Sequence, residues 1–295
     1  MSMMKVGLQM FSVKNAFKEN PEKTLQDISA AGYKFVELAN HRADKDPGCG
    51  YDIPADSLKR MAVAAGIRIT GGHVSPENGL GRDAFYKDLD AMKRIIDYYN
   101  TIDARDIIIP IDFFPTKEYL MRRCEVYNQL GELCRQNGMR LLYHNHYHEF
   151  QLFGDDAMFD LIMDNTEPAL IQVELDVFWT IRGLYDPVEK LRQYGKRIAA
   201  IHQKDFPLSQ IDNFSVWKQL DQNSPIDWDM FQAIKCPDYF TEVGDGILKI
   251  QDIIDAGNEF DVPLIIVEQD YTKLTEMLSI QRSMENFKRM RGLAI

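Results

Sequence analysis

Eight short apolar runs, at 5–11, 34–40, 67–74, 105–111, 140–147, 170–177, 198–203 and 263–268, alternate with longer amphipathic runs along the 295 residues. Strand-like and helix-like spacing repeated in this order predicts parallel strands, each followed by a helix. The helical patterns fall near 21–31, 54–65, 83–100, 117–137, 156–164, 187–195, 247–258 and 275–290. In the third of these, Phe85, Leu89, Met92, Ile95, Ile96 and Tyr99 recur at three- and four-residue steps and make one apolar stripe for core packing. Eight repeats predict an α/β chain closed into a single (β/α)8 TIM barrel spanning residues 1–295. A doubly wound sheet would explain seven of the alternations almost as well. The chain has, however, neither a Gly-x-Gly-x-x-Gly after its first strand nor a Gly-x-x-x-x-Gly-Lys anywhere.

The longest interruption runs from about 207 to 246, after the seventh strand, and carries Trp217, Trp228, Tyr239 and Phe240. On a barrel, that connection lies on the C-terminal face, where barrel enzymes place their active sites. With 45% hydrophobic and 27% charged residues, the chain can bury a large core, which excludes disorder. A net charge of −11 argues against a protein that gains affinity by neutralising nucleic-acid phosphates. Cys49, Cys124, Cys134 and Cys236 show no paired spacing and read as reduced thiols of a cytoplasmic protein. The N-terminus lacks a signal peptide's apolar core, and no run reaches the ~18 apolar residues of a membrane span.

On a barrel, polar side chains converge only where strands end. Gln9, Glu37, His73, Asp112, the 144–149 cluster, Glu174 with Asp176, His202 with Lys204, and Glu268 with Asp270 all stand at such ends. Five of the six histidines lie on strands three, five and seven. Imidazole and carboxylate groups without a thiolate suit one divalent ion, with Mn2+ foremost and Mg2+, Co2+ and Zn2+ compatible. The expected ligands are Glu149, Asp176, His202 and Glu268, one from each of the last four strands. Three carboxylates so close together need the cation, because without it one of them would take up a proton. Strand alternation complicates the first ligand: Tyr143, Asn145, Tyr147 and Glu149 point one way, and His144, His146 and His148 the other. Either the chain leaves the strand before Glu149, or His144 or His146 takes the ligand position.

These segments resemble the sugar phosphate isomerase/epimerase family on the xylose isomerase-like barrel, a group that includes AP endonuclease family 2-type enzymes. The resemblance covers nearly the whole chain. It rests on Val-Gly-Leu-Gln-Met-Phe-Ser-Val at 6–13, Gly-Tyr-Lys-Phe-Val-Glu at 32–37, Gly-Gly-His-Val-Ser at 71–75, Tyr-His-Asn-His-Tyr-His-Glu-Phe at 143–150, Leu-Asp-Val-Phe-Trp at 175–179, His-Gln-Lys-Asp at 202–205 and Glu-Val-Gly-Asp-Gly at 242–246. It implies a metal held by Glu, Asp, His and Glu from strands five to eight, matched here by Glu149, Asp176, His202 and Glu268. The departure is at strand five, where ketose 3-epimerases of the group carry a glutamate roughly at Tyr143 or His144.

The implied activity is a metal-dependent isomerase or epimerase acting on a keto-sugar, sugar phosphate or polyol-derived ketone through a metal-stabilised enediolate. The alternative is a lyase or dehydratase that uses the same chemistry to expel a β-substituent. Glu149, Glu268, His144 and His146 are the candidate bases, and Lys204 would stabilise the enediolate or a leaving oxygen. Gln9, Glu37, His73 and Trp179, with Glu242 from the long connection, would line the substrate site. The expected partner is a small sugar-type molecule rather than nucleic acid or membrane, and pairing of barrels through outer helices is compatible with the pattern. A multinuclear phosphodiesterase and a non-catalytic sugar-binding barrel are the competing readings.

Overall fold

The computed structural model describes residues 3–77 and 81–295. Its barrel strands are β1 (Met4–Gln9), β2 (Phe35–Asn40), β3 (Arg68–Val74), β4 (Asp106–Ile109), β5 (Arg140–His144), β6 (Ile171–Asp176), β7 (Ile198–Gln203) and β8 (Leu264–Val267); outside the barrel, Leu293–Ala294 pairs with the start of β1, and Leu152–Phe153 pairs with Asp156–Ala157. Each barrel strand pairs in parallel with the next, and β8 returns to β1 with Lys5 opposite Leu264 and Leu8 opposite Val267. The sheet is therefore a closed eight-stranded barrel without a free edge.

Outer helices cover it. Gly32 and Gly66, with φ of 110° and 70°, end the helices Pro21–Ala31 and Ala55–Ala65 in the left-handed conformation that glycine adopts without strain. The helical pattern at 83–100 is split, because the Asp88 side chain accepts from the Asp90 and Ala91 amides and caps a new helix, Leu89–Thr101. The long connection contains a short helix, Trp228–Ala233, beyond the eight helical patterns expected from the sequence. So does the segment after β6, where Val177–Arg182 is helical. Among the described residues, no helix is long and apolar enough to cross a membrane.

Two bulges decide what the barrel's upper interior contains. Val36 pairs with Ile69 but Glu37 pairs with Gly71, leaving Thr70 as an extra residue in β3. Val173 pairs with Ile198 but Glu174 pairs with Ala200, leaving Ala199 as an extra residue in β7. Each insertion reverses the alternation beyond it, which brings His73 beside β2 in step with Glu37, and His202 directly opposite Asp176. Gly71 allows the close approach this requires, since a Cβ there would lie 2.4 Å from the Asp106 carbonyl oxygen. The lower interior is filled conventionally by Ile108, Leu142 and Ala199, and by Ala200, Leu264 and Ile266. Above them the filling turns polar: Gln9, Glu37, His73, His144, Glu174 and His202 are all buried.

Candidate metal centre

Strand β5 stops at His144 because the next residue replaces the ladder with its side chain. Asn145 Oδ1 accepts from the Asp176 amide at 3.0 Å, and Nδ2 donates to the Asp176 carbonyl at 3.2 Å. The chain then turns, and His148–Phe150 form one 3-10 turn. Asp176 caps the helix that follows β6: its Oδ1 accepts from the Trp179 amide at 2.8 Å, leaving Oδ2 to face inward.

Two groups of side chains result, each with donor atoms within 4.8 Å of one another and each able to hold a metal ion: His144, Asp176, His202 and Glu268 above, and His73, His144, Glu174 and His202 below. The hydrogen bonds distinguish them. His144 Nδ1 bonds to Glu174 Oε2 at 3.0 Å, while its Nε2 is buried with no hydrogen-bond partner and lies 3.9 Å from Asp176 Oδ2. His202 Nε2 bonds to Glu37 Oε1 at 3.1 Å and lies 3.2 Å from Glu174 Oε2, while Nδ1 is 3.0 Å from Glu268 Oε2. Both imidazoles thus turn one nitrogen to a buried carboxylate below and the other to the upper group. Metal-binding histidines are commonly oriented in this way. The donor set and the orphaned His144 Nε2 fit a divalent ion in the upper group.

A buried cation compensates the carboxylates of the upper group. Lys204 Nζ lies 2.6 Å from both Asp176 Oδ2 and Glu268 Oε2, and 3.6 Å from Asp270 Oδ1. Burial acts against its charged form, but Asp176, Glu268 and Asp270 hold its pKa above the usual lysine range. Burial likewise opposes charge on His202, and Glu174 and Glu37 overcome it. Burial also raises Asp176, an effect that Lys204 opposes.

Glu149 is not in either group. The turn after β5 folds it back, so that it accepts from the Tyr143 hydroxyl and the His146 amide, both at 2.8 Å. His144, one of the alternatives that strand alternation left open, stands in the group instead: the chain does leave the strand before Glu149, but the turn carries that carboxylate to Tyr143 and the His146 amide rather than into the cluster. Burial pushes the Glu149 carboxyl from the ordinary 4.5 up to about 8. Between these values the folded chain keeps a proton that the unfolded chain releases, so stability falls as pH rises from 4.5 to 8. Glu149→Gln is therefore expected to gain on the order of a few kcal/mol over the parent between pH 5 and pH 9. Urea unfolding of both metal-free proteins at the two pH values tests this, and a constant difference between them would contradict it.

A cleft of about 260 Å3 opens above the upper group, lined among others by Phe11, His41, His73, His144, His146, Glu268 and Asp270. Trp228, Phe231, Gln232 and Lys235 from the long connection form its other wall. His146 Nδ1 is buried without a partner, and burial followed by the nearby His144 and Lys235 keeps the ring neutral. Of the expected substrate-lining residues, only His73 reaches this cleft. Gln9 and Glu37 lie in the barrel interior below it, joined by a 2.6 Å hydrogen bond. Trp179 is fully buried among Tyr147, Phe178 and Phe240, and Glu242 is held by the Thr272 hydroxyl at 2.6 Å. The aromatic wall had a readable signal, since Trp228, Phe231 and Lys235 are spaced three and four apart as on one helix face. A larger groove, of about 620 Å3, lies at the other end of the barrel beside Ile67, Ala104 and Gly138, away from the metal-binding groups.

Comparison with known proteins agrees with this architecture. The chain is 27% identical over 273 residues to an inosose dehydratase of Clostridium perfringens, spanning 86% of this chain and 84% of that protein. A shorter match, 33% identical over 78 residues, is to an inosose dehydratase of Geobacillus kaustophilus; it spans 26% of this chain and only a quarter of the relative's length. The crystal structure of a sugar phosphate isomerase/epimerase from Parabacteroides distasonis superposes with a TM-score of 0.79 at 21% identity, covering 100% of this chain and 96% of that one. The model of the xylose isomerase-like TIM barrel family matches residues 25–290. With its closed barrel and its carboxylate and imidazole groups gathered at the strand ends, this chain belongs to that family.

Proposed function

We propose that this protein is a divalent-metal-dependent lyase that removes water from a keto-sugar or keto-polyol by β-elimination. The observation that carries the reading is an unlike pair of groups around the upper group: the His146 imidazole, which lines the cleft with Nδ1 unpartnered, and the buried Lys204 ammonium, 2.6 Å from Asp176 and Glu268. Epimerisation through two glutamates would need a second carboxylate on β5, and Glu149 is committed to Tyr143 and the His146 amide instead. The inosose dehydratases among the relatives support the same choice.

His144, Asp176, His202 and Glu268 would hold the ion, which when bound supplies Lewis acidity toward the substrate carbonyl oxygen. His146 takes the proton from the carbon next to the carbonyl, and the C–H electron pair moves toward the carbonyl oxygen. The carbonyl then re-forms, a double bond appears between the α and β carbons, and the β C–O bond breaks. Lys204 gives its proton to the departing oxygen, so the products are an unsaturated ketone and water. Phe11, Phe231 and Trp228 line the cleft through which the substrate would enter.

The test is incubation of the Mn2+-loaded protein with neutral and acidic keto-polyols, inososes included, in deuterated water. Loss of water and formation of the enone are expected, with deuterium entering recovered substrate at the α carbon. Deuterium uptake with inverted or relocated carbonyl chemistry and no water loss would replace this reading with an isomerase or epimerase. No exchange with any member of the panel would end the enolate account.

A further inference from the structure

Arg82 opens the helix Arg82–Lys87 and lines the same cleft as His73, His144 and His146. Its guanidinium carbon lies 5.2 Å from the Phe113 ring centre and 5.3 Å from that of Trp228. The two rings are 6.1 Å apart and nearly perpendicular, at 88°, so they form an aromatic corner around the cation. Among the described residues Arg82 makes no ion pair, and its Nε is buried without a hydrogen-bond partner. The neighbouring Asp83 is engaged by Lys87 and Arg123. The cleft's other cation from the long connection, Lys235, is paired with Asp270 at 2.9 Å.

In a chain of net charge −11, an arginine that lines the cleft of the reactive centre without an acid partner calls for a ligand. Aromatic packing holds the guanidinium, and among the described residues no acceptor occupies its N–H edge. That edge matches the two oxygens of a carboxylate or phosphate, and the surrounding rings exclude water that would weaken the bond. We propose that Arg82 is an oxyanion-binding residue, so that the substrate is an acidic keto-sugar carrying a carboxylate or phosphate away from the reacting carbons. The proposal rests on the lyase reading for the identity of the reacting end, but the anion site is testable by binding alone.

The experiment is calorimetric titration of the Mn2+-loaded protein with three ligands sharing one polyol skeleton: sorbitol, gluconate and sorbitol 6-phosphate. At least one anion is expected to bind about tenfold or more tightly than sorbitol, and the tighter of the two identifies the group. Arg82→Ala should abolish that preference, and Arg82→Lys should retain part of it, since a point charge lacks the two-pronged fit. A preference that survives in Arg82→Ala would belong to the metal ion and overturn the proposal. Equal binding of all three ligands, or none by any, would overturn it as well. If the anion preference follows Arg82 while the deuterium experiment shows no exchange, the lyase reading fails and the oxyanion site stands.

Discussion

Changing His144 to alanine is expected to strip the protein of its divalent ion, whereas Glu149→Gln is expected to keep it. Among the described residues, only His144 offers a buried nitrogen without a hydrogen-bond partner toward Asp176, and its other nitrogen is already fixed by Glu174. Glu149 has both oxygens occupied by Tyr143 and His146 and faces away from the cluster. Removing one of four ligands from a small mixed site weakens binding by orders of magnitude, and losing the ion removes several kcal/mol of charge stabilisation during turnover. Turnover in His144→Ala should therefore fall by about a thousandfold or more. Asp176→Ala and His202→Ala should behave in the same way. Elemental analysis after reconstitution with Mn2+ is the direct check. Metal loss in Glu149→Gln together with retention in His144→Ala would restore the glutamate at strand five as the ligand.

That contrast shows where sequence periodicity stops being informative. Strand positions could be read because buried parallel strands are continuous apolar runs, and each observed strand falls within two residues or so of its expected start. The end of β5 could not be read in this way. It is set by Asn145, whose amide takes over two backbone bonds of Asp176, and that substitution of side chain for ladder leaves no periodic trace. The bulges at Thr70 and Ala199 are equally silent in the sequence, yet they decide that His73 and His202 point inward. Gln9 and Glu37 were recognisable as polar residues at strand ends, but the depth to which they sink depends on the tilt and closure of the barrel. Arg82 and Trp228 are far apart in sequence, and only closure brings them to one corner of the cleft.

Replacing Lys204 with methionine is expected to separate charge balance from chemistry. The ammonium bridges Asp176 and Glu268 at 2.6 Å each, so its removal in the absence of an ion leaves two buried carboxylates facing one another. Breaking a buried pair from one side typically costs about 3–5 kcal/mol, and the metal-free variant should unfold at a clearly lower temperature than the parent. Added Mn2+ should recover most of that loss, because the same two carboxylates are then neutralised by the ion. Metal affinity should not fall and should rise, since a competing cation has been removed from the ligand oxygens. Turnover should nevertheless stay low, by about a hundredfold to ten-thousandfold, the usual contribution of a placed proton donor. With Asp176 and Glu268 engaged by an ion, Asp270 remains as the carboxylate within 3.6 Å of Lys204, and its Oδ1 is buried with no hydrogen-bond partner. Losing two of its three carboxylate supports lowers the ammonium from its raised pKa and makes it a better acid toward a departing oxygen. Thermal unfolding with and without Mn2+, a metal-binding isotherm and an enone-formation assay on one preparation test all three expectations. Near-parental turnover in the metal-loaded variant would reduce Lys204 to a counter-ion and assign the leaving-group proton to another residue of the cleft.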